Sequence, residues 1–173
     1  MLFQIQHPAP EWSAECVTGG RLRQVSLADF RGKYLVMLFY PGDFNPHCVA
    51  PIHSFSSKVE QFQKVNCNVV AISTDSKMCH LQWTKTSPEA GGVGEINLPL
   101  IADTTHKISR EYNVYQDQEG IAYRGTFIIS KDGVVRHMSV SDAAGLPSVE
   151  ETLRMVQLFQ RSDHEDDAFV YSK

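Results

Sequence analysis

The chain has 173 residues, enough for one domain that buries a substantial core without disulfide staples. Hydrophobic residues make up 42% and charged residues 21%, and no apolar run approaches the roughly 18 residues that a membrane span needs, which argues against membrane insertion. A net charge of -4 and the lack of a basic stripe interleaved with aromatics argue against nucleic-acid binding.

The start of the chain, "MLFQIQHPAPEW", has no basic segment leading into a long apolar one, so the expected compartment is the cytoplasm. A hairpin or loop region precedes Tyr34. The run "YLVMLFY" (34 to 40) then reads as a strand covered on both faces, followed by a helical pattern from about Ile52 to Val65 and a second covered strand, "CNVVAIS" (67 to 73). That is a βαβ unit. Ser76 is placed to cap a helix through "KMCHLQWTK", in which Trp83 is expected as a core anchor. The Gly- and Pro-rich "SPEAGGVGEINLP" reads as a loop.

Thr104 or Asp103 would cap the next helix, which ends at Asn113, a residue tolerant of the left-handed conformation. "RGTFIIS" (124 to 130) and "GVVRHMS" (133 to 139) flank Asp132-Gly133 and predict an antiparallel hairpin. A last core-packing helix starts at "SVEETLRMVQLFQ", where Ser148 and Glu151 have capping-box spacing. The expected class is α/β with a thioredoxin-like fold: a central mixed sheet flanked by helices over residues 1–160, followed by an acidic C-terminal tail, 161–173.

Four cysteines, Cys16, Cys48, Cys67 and Cys79, form no CxxC pair, and are expected as reduced thiols. Cys48 differs from the others by its place in the connection leaving the first core strand, the edge of an open sheet where ligands bind. Unpaired N–H groups and the positive end of a helix dipole favour a thiolate there, and the thiolate is the nucleophilic form. His47 and His53 flank it in sequence, but turn neighbours often point elsewhere. A metal set of His47, Cys48, His53, Cys79 and His80 is chemically conceivable but fits no regular zinc spacing.

At these residues the sequence resembles the peroxiredoxins, in particular the typical two-cysteine group. "APEWSA", "FRGKYLVMLFYPGDF", "HLQWTKT", "GGVGEINLPLIAD", "EGIAYRGTFIIS" and "SVEETLRMVQLFQ" carry the resemblance over roughly Ala9 to Gln160. By similarity Cys48 is the peroxidatic cysteine of the motif PxxxTxxC, Pro41 opens that motif and shields the thiolate, and Arg124 in "AYRG" is the active-site arginine. The resemblance implies a peroxide substrate, hydrogen peroxide or a small alkyl hydroperoxide, and a thiol reductant such as thioredoxin. It requires no cofactor and no metal. It also implies a homodimer, with a decamer as a further assembly, and the edge strand "GVVRHMS" suits the dimer pairing.

The sequence departs from the family's pattern at three places. Asn45 stands where the family has threonine or serine, and its amide has no compact hydroxyl. "VAP" follows the cysteine in place of Pro-Thr-Glu, removing a carboxylate that orients the arginine and introducing Pro51. Proline biases Ala50 away from helical angles, so the helix is expected to begin near Pro51, with Cys48 in a loop stiffened by Pro46. In "HEDDAFVYSK" no resolving cysteine appears, and Phe169 stands near its place. A Cys48 sulfenic acid is then expected to need an external thiol, which is one-cysteine behaviour. The competing reading is a catalytically weakened member acting as a binding module, redox sensor or holdase.

Overall fold

The computed structural model describes residues 4–142 and 148–171, with side chains through Asp166. Nine strands and five α-helices follow in chain order: β1 (Ser13–Thr18), β2 (Arg21–Ser26), β3 (Tyr34–Phe39), α1 (Pro46–Ser57), α2 (Val59–Lys64), β4 (Cys67–Ser73), α3 (Lys77–Lys85), β5 (Leu100–Ala102), α4 (Lys107–Glu111), β6 (Tyr115–Gln116), β7 (Ile121–Ala122), β8 (Arg124–Ile129), β9 (Val135–Ser141) and α5 (Val149–Tyr171). Seven strands form one mixed sheet in the order β2-β1-β5-β4-β3-β8-β9, and β6 pairs with β7 separately. The βαβ unit and the antiparallel β8–β9 hairpin stand where the sequence places them. This is the thioredoxin-like arrangement, and β1–β2 is the hairpin ahead of Tyr34.

The continuous apolar run of β3 serves two cores. Tyr34, Val36 and Leu38 face one cluster with Ile52, Phe55, Phe62, Trp83, Val149 and Val156, under α1, α2, α3 and α5. Leu35, Met37 and Phe39 face the other, with Trp12, Leu27, Ile108 and Tyr112. Trp83 is fully buried and stacks on Tyr40 at 5.8 Å between ring centroids. Nearby, Gly92 admits no side chain, since a Cβ would lie 1.9 Å from the Thr86 carbonyl oxygen.

Helix starts differ from the sequence reading in instructive ways. Ser76 caps α3 as expected, accepting from Cys79 N at 3.1 Å. Asp103 caps α4 from a distance, accepting from the Ile108 and Ser109 backbone N–H groups, and Asn113 is left-handed at φ 58°. At α5 only half of the capping box forms. Glu151 N donates to Ser148 Oγ at 3.1 Å, but the Glu151 carboxylate turns to Arg154 instead of back to the cap. That helix also runs on through the acidic segment to Tyr171. Asp163 accounts for the start of this extension, because it accepts from Tyr34 Oη and from Arg136 Nη1, and the Arg136 guanidinium lies over the Phe159 ring at 4.9 Å. Both charges of the Arg136–Asp163 pair are mostly buried, so removing either partner alone would leave the other uncompensated.

Candidate active site

The expected loop around Cys48 is instead the first turn of α1. Pro46 occupies the first helical position, where its missing N–H is one that would be unpaired anyway, and Asn45 precedes it as the cap. Asn45 Oδ1 accepts from His47 N at 3.0 Å, and the Asn45 carbonyl accepts from Cys48 N at 3.0 Å. Pro51 lies inside the helix. It removes the backbone donor that would meet the His47 carbonyl, but this loss is tolerated because Ile52 and Phe55 anchor the next turn in the core. The bias at Ala50 is therefore overridden by the cap ahead of it and the packing behind it.

Asn45 thus has a structural task that its sequence position did not reveal. Replacing it with alanine should remove the cap and lower unfolding free energy by about 1 kcal/mol, measurable by denaturant titration. An unchanged midpoint would show that the cap contributes nothing.

Cys48 is 1% exposed and Arg124 7% exposed, and Arg124 Nη1 lies 3.5 Å from Cys48 Sγ. The 76 intervening residues are bridged by the sheet. Cys48 follows the C-terminal end of β3, and β8 runs antiparallel to β3 with Phe39 opposite Gly125, so the first residue of β8 arrives at the mouth where α1 begins. Among the described residues Arg124 forms no ion pair with a carboxylate. A buried guanidinium without a counter-ion is costly.

Pro41 is half-buried in the bend after β3, seven positions ahead of the sulfur. Neither His47 nor His53 is hydrogen-bonded to Cys48 among the described residues, and His47 is exposed. The five-residue metal set does not converge; the ligand atoms that come together are those of Asp43, Asp75 and Cys79. Those carboxylates already serve a buried network that fixes the Pro41–Asn45 loop. Tyr40 Oη donates to Asp43 Oδ1 at 2.7 Å, His80 Nδ1 lies 2.6 Å from Asp43 Oδ2, and Asp75 Oδ2 accepts from Asp43 N and Ser73 Oγ. His80 Nε2 meets the Ile101 carbonyl at 3.0 Å, tying the loop to β5. Sequence reasoning missed Asp43 and His80 as supports of the site. The one available signal was the spacing of His80 and Trp83, which puts both on the inward side of α3.

The other three cysteines sit in settings that disfavour a thiolate. Burial raises the Cys16 and Cys67 thiols, the latter to about 12. Burial and the Asp43 and Asp75 carboxylates push Cys79 to about 12. The side chain of Phe169 lies outside the described residues.

The AhpC/TSA family model matches residues 5–138. The chain belongs to the peroxiredoxin family. It is 48% identical over 161 residues to a peroxiredoxin of Cynops pyrrhogaster, covering 92% of this chain and 80% of that protein. It is 46% identical over 156 residues to peroxiredoxin-2 of Bos taurus, covering 90% and 78% respectively. Among solved structures, the reduced 2-Cys peroxiredoxin of Plasmodium vivax superposes with a TM-score of 0.88 at 34% identity, covering 92% of this chain and 98% of that one. The mixed sheet with its strand-to-helix cysteine is thus the peroxiredoxin fold.

Proposed function

We propose that this thiol-dependent peroxidase works through Cys48 as its only redox-active cysteine, with Arg124 as the charge stabiliser, Pro41 as a shield over the sulfur and Asn45 as the cap that holds the first turn of α1. The substrate is hydrogen peroxide or a small alkyl hydroperoxide. The Cys48 thiolate attacks one peroxide oxygen, forming an S–O bond as the O–O bond breaks. The electron pair goes to the leaving oxygen, which takes a proton and departs as water or alcohol. Sulfur is oxidised to the sulfenic acid and the peroxide is reduced. Negative charge moves from sulfur toward the leaving oxygen during this step, and a fixed guanidinium serves both ends without reorganising.

What supports the reading above all is the 3.5 Å approach of Arg124 Nη1 to Cys48 Sγ in a buried site where no described carboxylate competes. The raised thiols of Cys16, Cys67 and Cys79 make each of them a poor resolving nucleophile. An external thiol, such as that of thioredoxin, attacks the sulfenic sulfur, releases water and leaves a mixed disulfide that a second thiol reduces. Four cysteines without a disulfide suit a cytoplasmic setting. No helix among the described residues is long and apolar enough to cross a membrane. Strand β9, at the sheet edge with Met138 and Val140 exposed, is the proposed homodimer seam, and exposed Phe44 and Met78 suit the further contact of a decamer.

Dimedone trapping after one equivalent of peroxide tests the assignment directly. Mass spectrometry is expected to find the adduct on Cys48 and not on Cys16, Cys67 or Cys79. An adduct on another cysteine would move the nucleophile. No adduct and no peroxide consumption would instead favour the weakened binding module, redox sensor or holdase, a reading to which the lack of a described carboxylate beside Arg124 lends its one specific observation.

A further inference from the structure

We propose that Thr126 is a specificity-determining residue of this site, placing one step inward from Arg124 a polar atom that favours hydrogen peroxide over alkyl hydroperoxides. The inference rests on the reading of Cys48 as the attacking sulfur. Thr126 is fully buried, and its hydroxyl has no hydrogen-bond partner among the described residues. Buried hydroxyls are nearly always partnered, so one that is not calls for an occupant that comes and goes.

The sheet register locates that occupant. Alternation along β8 puts Arg124, Thr126 and Ile128 on the same face, and Ile128 belongs to the cluster that contains Cys48. Thr126 lies opposite Leu38 of β3, also in that cluster, and opposite Ser139 of β9. It is therefore the next side chain inward from Arg124 on the catalytic face. The β3 residues of this face nearest Thr126, Leu38 and Val36, are both apolar.

A second unpartnered atom extends the same strip. His137 is opposite Ile128, which makes it a diagonal neighbour of Thr126, and its Nε2 is buried without a hydrogen-bond partner among the described residues. Burial lowers the pKa of this imidazole from its ordinary value, against a smaller opposing pull from Glu151. The strip thus offers a hydroxyl and a ring nitrogen with unfilled hydrogen-bonding capacity to something small, such as water at rest or the distal O–H of hydrogen peroxide during turnover.

An alkyl hydroperoxide presents carbon where hydrogen peroxide presents a second O–H. Directed inward, the alkyl group would bury the Thr126 hydroxyl and leave it unsatisfied. A site that pairs with a substrate hydroxyl discriminates strongly against an analogue without one, whereas an apolar site discriminates weakly.

Stopped-flow second-order rate constants for hydrogen peroxide and cumene hydroperoxide, measured on wild type, Thr126→Val and Thr126→Ser, test this. Valine keeps the shape and is expected to reduce the ratio of the hydrogen peroxide constant to the cumene hydroperoxide constant by about tenfold, while serine restores it to within about twofold of wild type. A ratio unchanged in valine, accompanied by a higher melting temperature, would mean that the hydroxyl is only a structural defect and would overturn this inference alone. Failure of wild type to consume either peroxide would overturn it together with the reading of Cys48.

Discussion

Cys48→Ser is expected to lower the rate of peroxide consumption by at least about 10³-fold, leaving a folded protein. Serine nearly matches cysteine in size and can still accept from Arg124 Nη1, so the buried contact with the guanidinium need not collapse. The chemistry is lost because a serine hydroxyl does not ionise near neutral pH and is a far weaker nucleophile than a thiolate. None of the three remaining cysteines can substitute, as each is buried or flanked by carboxylates in a way that holds its proton. Peroxide loss followed by rapid mixing, with circular dichroism to verify folding, decides the matter. A serine variant within tenfold of wild type would place the reacting sulfur elsewhere.

Much of the architecture was legible because its signals are local or periodic. The apolar runs of β3 and β4 announce strands buried on both faces, Asp132-Gly133 announces the β8–β9 hairpin, and Ser76 announces α3. The start of α1 was misread because two prolines made conflicting claims. Pro51 disfavours a helix before it, but Pro46 is pre-organised for a first turn, and the Asn45 cap joined to the packing of Ile52 and Phe55 settles the conflict in favour of Pro46. At α5 the spacing of Ser148 and Glu151 was right, yet Arg154 lies within reach of the carboxylate and draws it away from the cap.

The site was legible only in part, for a different reason. Cys48 stands out by its place at a strand-to-helix turn, which is a local fact. Arg124 was recognisable through family resemblance, since its approach to Cys48 depends on the antiparallel register of β8 against β3 and on nothing near it in sequence. The Tyr40–Asp43–His80 support and the buried hydroxyl of Thr126 are likewise products of long-range packing. No spacing rule within the chain connects residue 43 to residue 80.

Replacing Arg124 with methionine should separate stability from activity. The peroxide rate constant is expected to fall by about 10²- to 10³-fold, the loss typical of removing a fixed donor from a developing charge. Lysine should retain part of the rate, because it keeps the charge but not the planar fork. Stability should move the other way or stay level. Arg124 is buried, its described contact is the Cys48 sulfur, and no described carboxylate repays the desolvation of its charge, so an apolar side chain of similar length suits the fold at least as well. A functional arginine predicts lower activity with equal or higher melting temperature, which is the pattern of a residue retained for chemistry at the expense of the fold. A structural arginine predicts that both fall together. Parallel loss of rate and melting temperature in the methionine variant, with full recovery of both in lysine, would reduce Arg124 to a general cation and remove it from the reacting site.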